Sequence, residues 1–187
     1  MENRNLESIG DTETRLILIR GNSGTGKSAL ALAIRNSLPR GVAIIGQDLL
    51  RRNVLHVLDT KPSLAADYIE ISARFALDRG LHVVVEGILR EDIYGDMLRR
   101  VISSHQGITR CYRYKISFQE TLNRHITKPN AAEFGENEMR QWWRDDDGLV
   151  GVEESIIGPD QLLVDTVAMV IDDCGWRPLG SRSTHTR

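Results

Sequence analysis

Eight consecutive residues, Gly21-Asn22-Ser23-Gly24-Thr25-Gly26-Lys27-Ser28, leave this chain few folds to choose from. They match the pattern G-x-x-x-x-G-K-[ST], preceded by the apolar run Leu16-Ile17-Leu18-Ile19 and followed by the helix-forming run Ala29-Leu30-Ala31-Leu32-Ala33-Ile34. Strand, loop and helix in that order give the pattern its physical content. Glycines let the backbone turn several N–H groups inward on a phosphate, and the helix N-terminus adds its partial positive charge. In such a loop Lys27 reaches the terminal phosphates of a nucleotide and the Ser28 hydroxyl ligates magnesium.

The rest of the chain fits around that loop. Apolar runs at 15–20, 42–46, 82–86, 110–116 and 161–165 read as strands, several with Val, Ile or Leu at consecutive positions, as in strands buried on both faces. Helical patterns fall between and after them, at 27–37, 48–58, 64–79, 91–104, 117–126, 136–146 and 167–174. Gly80 stands where a helix-ending glycine belongs. The alternation predicts an α/β domain with a parallel sheet covered on both faces. The expected core spans about 14–176, with a lid at about 118–148, a loose polar start and a frayed tail at about 177–187. All 187 residues then form one domain.

In such sheets ligands gather beyond the C-terminal ends of the strands, so the residues there are the site candidates. Asp48 follows the second strand and is a candidate base for an attacking hydroxyl, or else a helix N-cap. Of its neighbours Arg51 and Arg52, one is placed to bind an anionic substrate and the other to face solvent. Glu86 ends an apolar strand, where an unpaired acid is costly, and is a candidate for magnesium's shell or for the substrate; Arg90 follows as a substrate candidate. Arg124 and Lys128 lie one helical turn apart, so one element presents two cations to a triphosphate. His125 is read as structural, and at least one of Trp142 and Trp143 as packing. Asp145-Asp146-Asp147 reads as a solvated helix end, and Asp165 or Thr166 as the cap of the last helix.

Composition narrows the classes. A net charge of −2 argues against a mainly electrostatic nucleic-acid binder. Cys111 and Cys174 are far apart without metal spacing, the simple reading being a reducing cytoplasm. No apolar run approaches the ~20 residues of a membrane span, and no signal peptide is visible.

Together, the phosphate loop, Asp48, Glu86-Gly87, the Arg124–Lys128 segment and the ending Leu163-Val164-Asp165-Thr166 resemble the P-loop kinases of small molecules, over roughly residues 15–175. Shikimate, gluconate, nucleoside and adenylylsulfate kinases, chloramphenicol phosphotransferase, zeta-type toxin kinases and polynucleotide kinase belong to that superfamily. The resemblance implies a three-layer P-loop NTPase fold, with a five-stranded parallel sheet ordered 2-3-1-4-5, helices on both faces and a small helical lid. It implies ATP with Mg²⁺ and transfer of the γ-phosphoryl group. Asp48 would be the base or hold the acceptor hydroxyl, and Arg124, less securely Lys128, would contact the phosphates. Where nucleoside monophosphate kinases carry Asp-Gly-Phe/Tyr-Pro-Arg, this chain has Glu86-Gly87-Ile88-Leu89-Arg90. The expected acceptor is a nucleoside, a sugar-like metabolite or an antibiotic, with a nucleic-acid 5′ end less favoured. The competing reading is a regulatory nucleotide-binding ATPase module without a small acceptor. A GTP switch fits poorly: Asp145-Asp146-Asp147-Gly148 matches D-x-x-G inside a charge run, and Thr60-Lys61-Pro62-Ser63 and Thr127-Lys128-Pro129-Asn130 lack the final Asp of N/T-K-x-D.

Overall fold

The computed structural model describes residues 8–126 and 135–176; Lys128 and the expected tail lie outside them. Strand β1 (Arg15–Arg20) is the middle of five parallel strands, β2 (Val42–Gly46), β3 (His82–Gly87), β4 (Ile108–Tyr114) and β5 (Ser155–Ile157) completing the order β2-β3-β1-β4-β5. Its consecutive apolar residues serve both faces. Leu16 and Leu18 join Val83 and Val85 against helices α2 (Leu64–Leu77) and α3 (Glu91–Ser104). Ile17, Ile19 and Val84 face the opposite layer, α1 (Lys27–Asn36) and α6 (Leu163–Asp173). Two shorter helices, α4 (Phe118–Ile126) and α5 (Glu136–Trp142), lie between β4 and β5. Ser63 starts α2 by accepting the N–H of Ala66 at 3.1 Å, and Gly80, at φ 73°, follows its end.

Four expectations give way. The run 161–165 is not the last strand: Leu163 opens α6, which buries Thr166, Val167, Val170 and Ile171 at helical spacing and leaves Leu162, Leu163 and Val164 exposed. Ser155–Ile157 is the strand instead, pairing Tyr112–Tyr114 with only Ile157 buried. Asp165 lies inside the first turn of α6 and makes no side-chain cap; the Thr166 hydroxyl bonds back to the Leu162 carbonyl at 2.8 Å. The helix expected over 48–58 is one wide π-helical turn, Leu49–Val54, none of whose residues is fully buried. Finally, residues 8–14 are not loose throughout. Ile9 is buried, donates its N–H to Ser104 O at 2.9 Å and bridges to His105.

Candidate active site

The strand register assembles the site. Gly46, Glu86 and Ile19 lie side by side across β2, β3 and β1, so the loops that follow these strands open on one edge of the sheet. The first is the phosphate loop. Gly21, Gly24 and Gly26 have φ of 141°, 87° and 108°, a region that L side chains avoid. A Cβ at Gly24 would stand 2.9 Å from the Thr121 carbonyl oxygen of α4, so this glycine is also required by close approach. The Asn22 carbonyl accepts from Thr25 Oγ1 at 3.0 Å and from Lys27 Nζ at 2.7 Å, folding the lysine over its own loop. The Asn22 side chain exchanges two hydrogen bonds with the Arg144 backbone, at 2.7 and 3.0 Å, and so ties the loop to the segment after α5.

Ser28, the second residue of α1, donates its hydroxyl to Glu86 Oε2 at 3.1 Å. Two residues chosen on separate grounds thus meet. A hydroxyl and a carboxylate beside a phosphate cradle form a donor set suited to Mg²⁺, which takes few protein oxygens and keeps waters and substrate phosphates. Among the described residues there is no larger group of His, Cys, Asp and Glu to hold a metal. Arg124 reaches the same loop from α4, donating to Thr25 O at 3.3 Å, while Glu120 and the Pro159 carbonyl hold it at 2.7 and 2.9 Å.

Beside the loop opens a cavity of about 340 Å³ whose walls include Asp48, Arg51, Arg52, Asp59, Arg90 and Trp142. Asp48 is 64% exposed and makes no cap bond; its Oδ1 is gripped by Arg51 Nη2 at 3.1 Å and Arg52 Nε at 3.4 Å. Neither arginine simply faces solvent, because the wide turn brings both to the cavity and Arg52 also lies 5.5 Å from the centre of the Trp142 ring. Trp142 therefore lines the cavity, whereas Trp143 packs edge-to-face on Phe118.

Arg90 sits where β3 gives way to α3, after a residue held in an unusual conformation. Leu89 is fully buried with φ 46°. Its N–H donates to Gln47 Oε1 at 2.8 Å, and its carbonyl accepts from Arg20 Nε at 3.1 Å and Nη2 at 2.8 Å. Such strain persists only where the surroundings over-determine it. Gln47 also packs on Gly87, where a Cβ would meet it at 2.5 Å.

Sequence reasoning missed this supporting layer. Gln47, Asp59 and Tyr94 form a chain: Gln47 Nε2 donates to Asp59 Oδ2 at 3.3 Å and the Tyr94 hydroxyl donates to Asp59 Oδ1. Burial, with the Asp59 hydrogen bond second, holds the Tyr94 phenol well above its ordinary range, so it stays a donor. Only Asp59's place one residue after Leu58 in a polar stretch was readable, and that is no signal. Arg20 was hidden inside a strand. It is 1% exposed and pairs with Asp147 at 3.0 Å and Glu154 at 2.8 Å. The acidic run is accordingly not a solvated helix end. α5 stops at Trp142, Asp145 accepts from Trp143 Nε1, Asp146 pairs with Arg113, and Asp147 accepts the Glu91 N–H at the start of α3. Burial raises the Asp147 carboxyl above the usual range despite Arg20.

Solved structures carry the same architecture. The chain matches the Mycobacterium tuberculosis APS kinase CysC in complex with AMPPNP and APS at TM-score 0.62, with 19% identity over 87% of this chain and 98% of that one. A gluconokinase from Sinorhizobium meliloti 1021 matches at TM-score 0.57, with 17% identity over 88% and 93%. The Deinococcus radiodurans tunicamycin resistance protein matches at 0.59, with 10% identity over 88% and 98%. No family model matches the sequence, and no curated protein matches it. The chain has the fold of the P-loop small-molecule kinases, with the sheet order that this class implies.

Proposed function

We propose that this protein is an ATP-dependent phosphotransferase that moves the γ-phosphoryl group to a hydroxyl of a small acceptor. The observation that carries this reading is the juxtaposition of two half-sites. The phosphate loop with Ser28 bonded to Glu86 stands against a cavity walled by Asp48, and Ser23 of the loop belongs to that wall. The kinases among the structural neighbours support the same class.

In this reading Gly21–Ser28 cradle the triphosphate through backbone N–H groups, and Lys27 exchanges its bond to Asn22 O for phosphate oxygens. Ser28 and Glu86 would hold Mg²⁺, which when bound neutralises charge on the β- and γ-phosphates. Both cations that fix Asp48 act on Oδ1, and among the described residues Oδ2 has no partner. Oδ2 accepts the proton of the acceptor hydroxyl as its oxygen bonds to the γ-phosphorus. The bond from that phosphorus to the β–γ bridging oxygen breaks, and its electron pair leaves on ADP. Lys27 and Arg124 stabilise the charge that develops on the transferred group. Arg51 and Arg90 orient the acceptor, with Lys128 assigned to the same task. Closure of the segment around α4 and α5 excludes water, which would otherwise consume ATP.

The test is transfer from γ-labelled ATP to a panel of hydroxylated metabolites, with the product identified by mass. A labelled organic phosphate supports the reading. Tight nucleotide binding that changes partner binding and yields no product would favour the regulatory module.

A further inference from the structure

We propose that this protein pairs with a second copy of itself through the solvent face of α2, the two helices antiparallel about a two-fold axis; the claim is independent of the proposed reaction. α2 is apolar on two opposite sides. Ala65, Ala66, Ile69, Ala73, Ala76 and Leu77 are buried in the core. Leu64, Tyr68, Ile71 and Phe75 stand on the other side and are 63%, 38%, 61% and 61% exposed. On a helical wheel these four fall within about 60° of arc, opposite the buried set. The outer face of a surface helix is ordinarily polar, so an apolar stripe there calls for a cover. Its steps of four, three and four residues are those of a coiled-coil seam, which seats its knobs in the holes of another such seam. Among the described residues no other helix exposes a seam of this kind, so the complement is the same helix of a second copy.

The charges beside the seam set the direction. Asp67 and Arg74 lie along one edge of the stripe; Arg79 lies along the other, its guanidinium 5.1 Å from the centre of the Phe75 ring. A two-fold axis perpendicular to both helices brings like edges together, so Asp67 of each copy meets Arg74 of the other, as a self-complementary interface requires. Arg74 already bonds Glu70 at 3.1 Å, but Glu70 also takes Arg100 at 2.6 Å, so this cluster keeps a net positive charge for Asp67 to meet. Parallel helices would bring opposite edges together and oppose Arg74 to Arg79. Roughly 400 Å² of apolar side chain per copy leaves water on pairing. With the charged rim the pair buries roughly 1,000 Å² in total, the lower limit of a specific interface, so the dimer is a reversible one. Anionic lipid is the poorer occupant, because Asp67 and Asp78 are exposed beside the stripe, where a membrane-lying helix carries Lys and Arg.

Sedimentation equilibrium of the full chain, read from about 1 to 300 μM, tests this. A monomer–dimer equilibrium with a micromolar Kd is expected. Ile71→Glu puts a charge into the seam at an exposed position, so it should weaken Kd at least about tenfold while Tm, taken at a concentration where the wild type is monomeric, moves little. Asp67→Arg and Arg74→Asp should each weaken self-association at least about threefold, and an equimolar mixture of the two should form a heterodimer tighter than either homodimer. That mixture reads the antiparallel register; Ile71→Glu decides the face even where Arg74→Asp fails to fold. A chain that stays monomeric throughout, an Ile71→Glu variant with the wild-type Kd, or a mixture no tighter than its components would each overturn the inference. So would binding to anionic vesicles that Ile71→Glu abolishes, in a chain that does not self-associate.

Discussion

In the proposed reaction Asp48 is the residue on which the chemistry turns. Its neighbours are what the proposal of a reactive role rests on: it makes no cap bond, and among the described residues two arginines hold one oxygen and none holds the other. Asp48→Asn keeps the size and removes the proton acceptor, so kcat should fall by about 10²–10⁴-fold while the Kd for MgATP changes less than about threefold. Stopped-flow transfer beside nucleotide titration checks this, and a lost ATP affinity with retained kcat would make Asp48 structural. Arg20 is the opposite case, a buried cation committed to ion pairs within the protein. Its removal takes the cation from Asp147, leaves Glu154 with Arg113 alone at 3.2 Å and frees the strained Leu89 carbonyl. Arg20→Met should cost about 3–5 kcal/mol in urea unfolding, the range for breaking one partner out of a buried pair. The phosphate loop and Glu86 could be picked out as candidates because one is a motif and the other ends a strand, and Arg124 because it stands one helical turn from Lys128 in the segment after β4. Gln47, Asp59 and Tyr94 were not, because their roles come from contacts 35 and 42 positions apart that no local spacing encodes.

Elements show the same division. β1 to β3 were readable within a residue because strands buried on both faces announce themselves by unbroken apolar runs. β5 has three residues and one buried side chain, too little for a period, while Leu162-Leu163-Val164 has a strand's composition and a helix's place. In the latter, buried positions further along α6 override local propensity. The π-helical turn after β2 could not be foreseen either, yet it sets Arg51 and Arg52 around Asp48. The phosphate loop is tested by Gly24→Ala. Its φ of 87° and the Thr121 carbonyl at 2.9 Å from the added Cβ both oppose a side chain. The variant should lose about 1–3 kcal/mol of stability and weaken MgATP binding. A change in neither, by calorimetry, would show that α4 does not press on the loop.

The whole molecule buries its thiols in the core and carries its glycine-rich loop at the rim. Burial pushes both Cys111 and Cys174 up to about 12. Because their folded-state values exceed the unfolded ones, the stability they contribute is complete below about pH 8.5 and is lost as pH rises toward 12. Urea unfolding at pH 7 and 10 should show lower stability at pH 10, and Cys111→Ala/Cys174→Ala should flatten that slope. The opposite sign would mean that the thiols are not buried as described. Every functional statement depends on the sheet edge presenting one polyphosphate site, with Lys27 as its cation. Calorimetric titration of the intact protein and of Lys27→Ala with a non-hydrolysable ATP analogue and Mg²⁺ measures this directly. The account predicts one saturable site, weakened at least about tenfold by a substitution that leaves Tm nearly unchanged, an effect of about 1.4 kcal/mol or more. No heat of binding to the wild-type protein, or equal affinity in both, would contradict it.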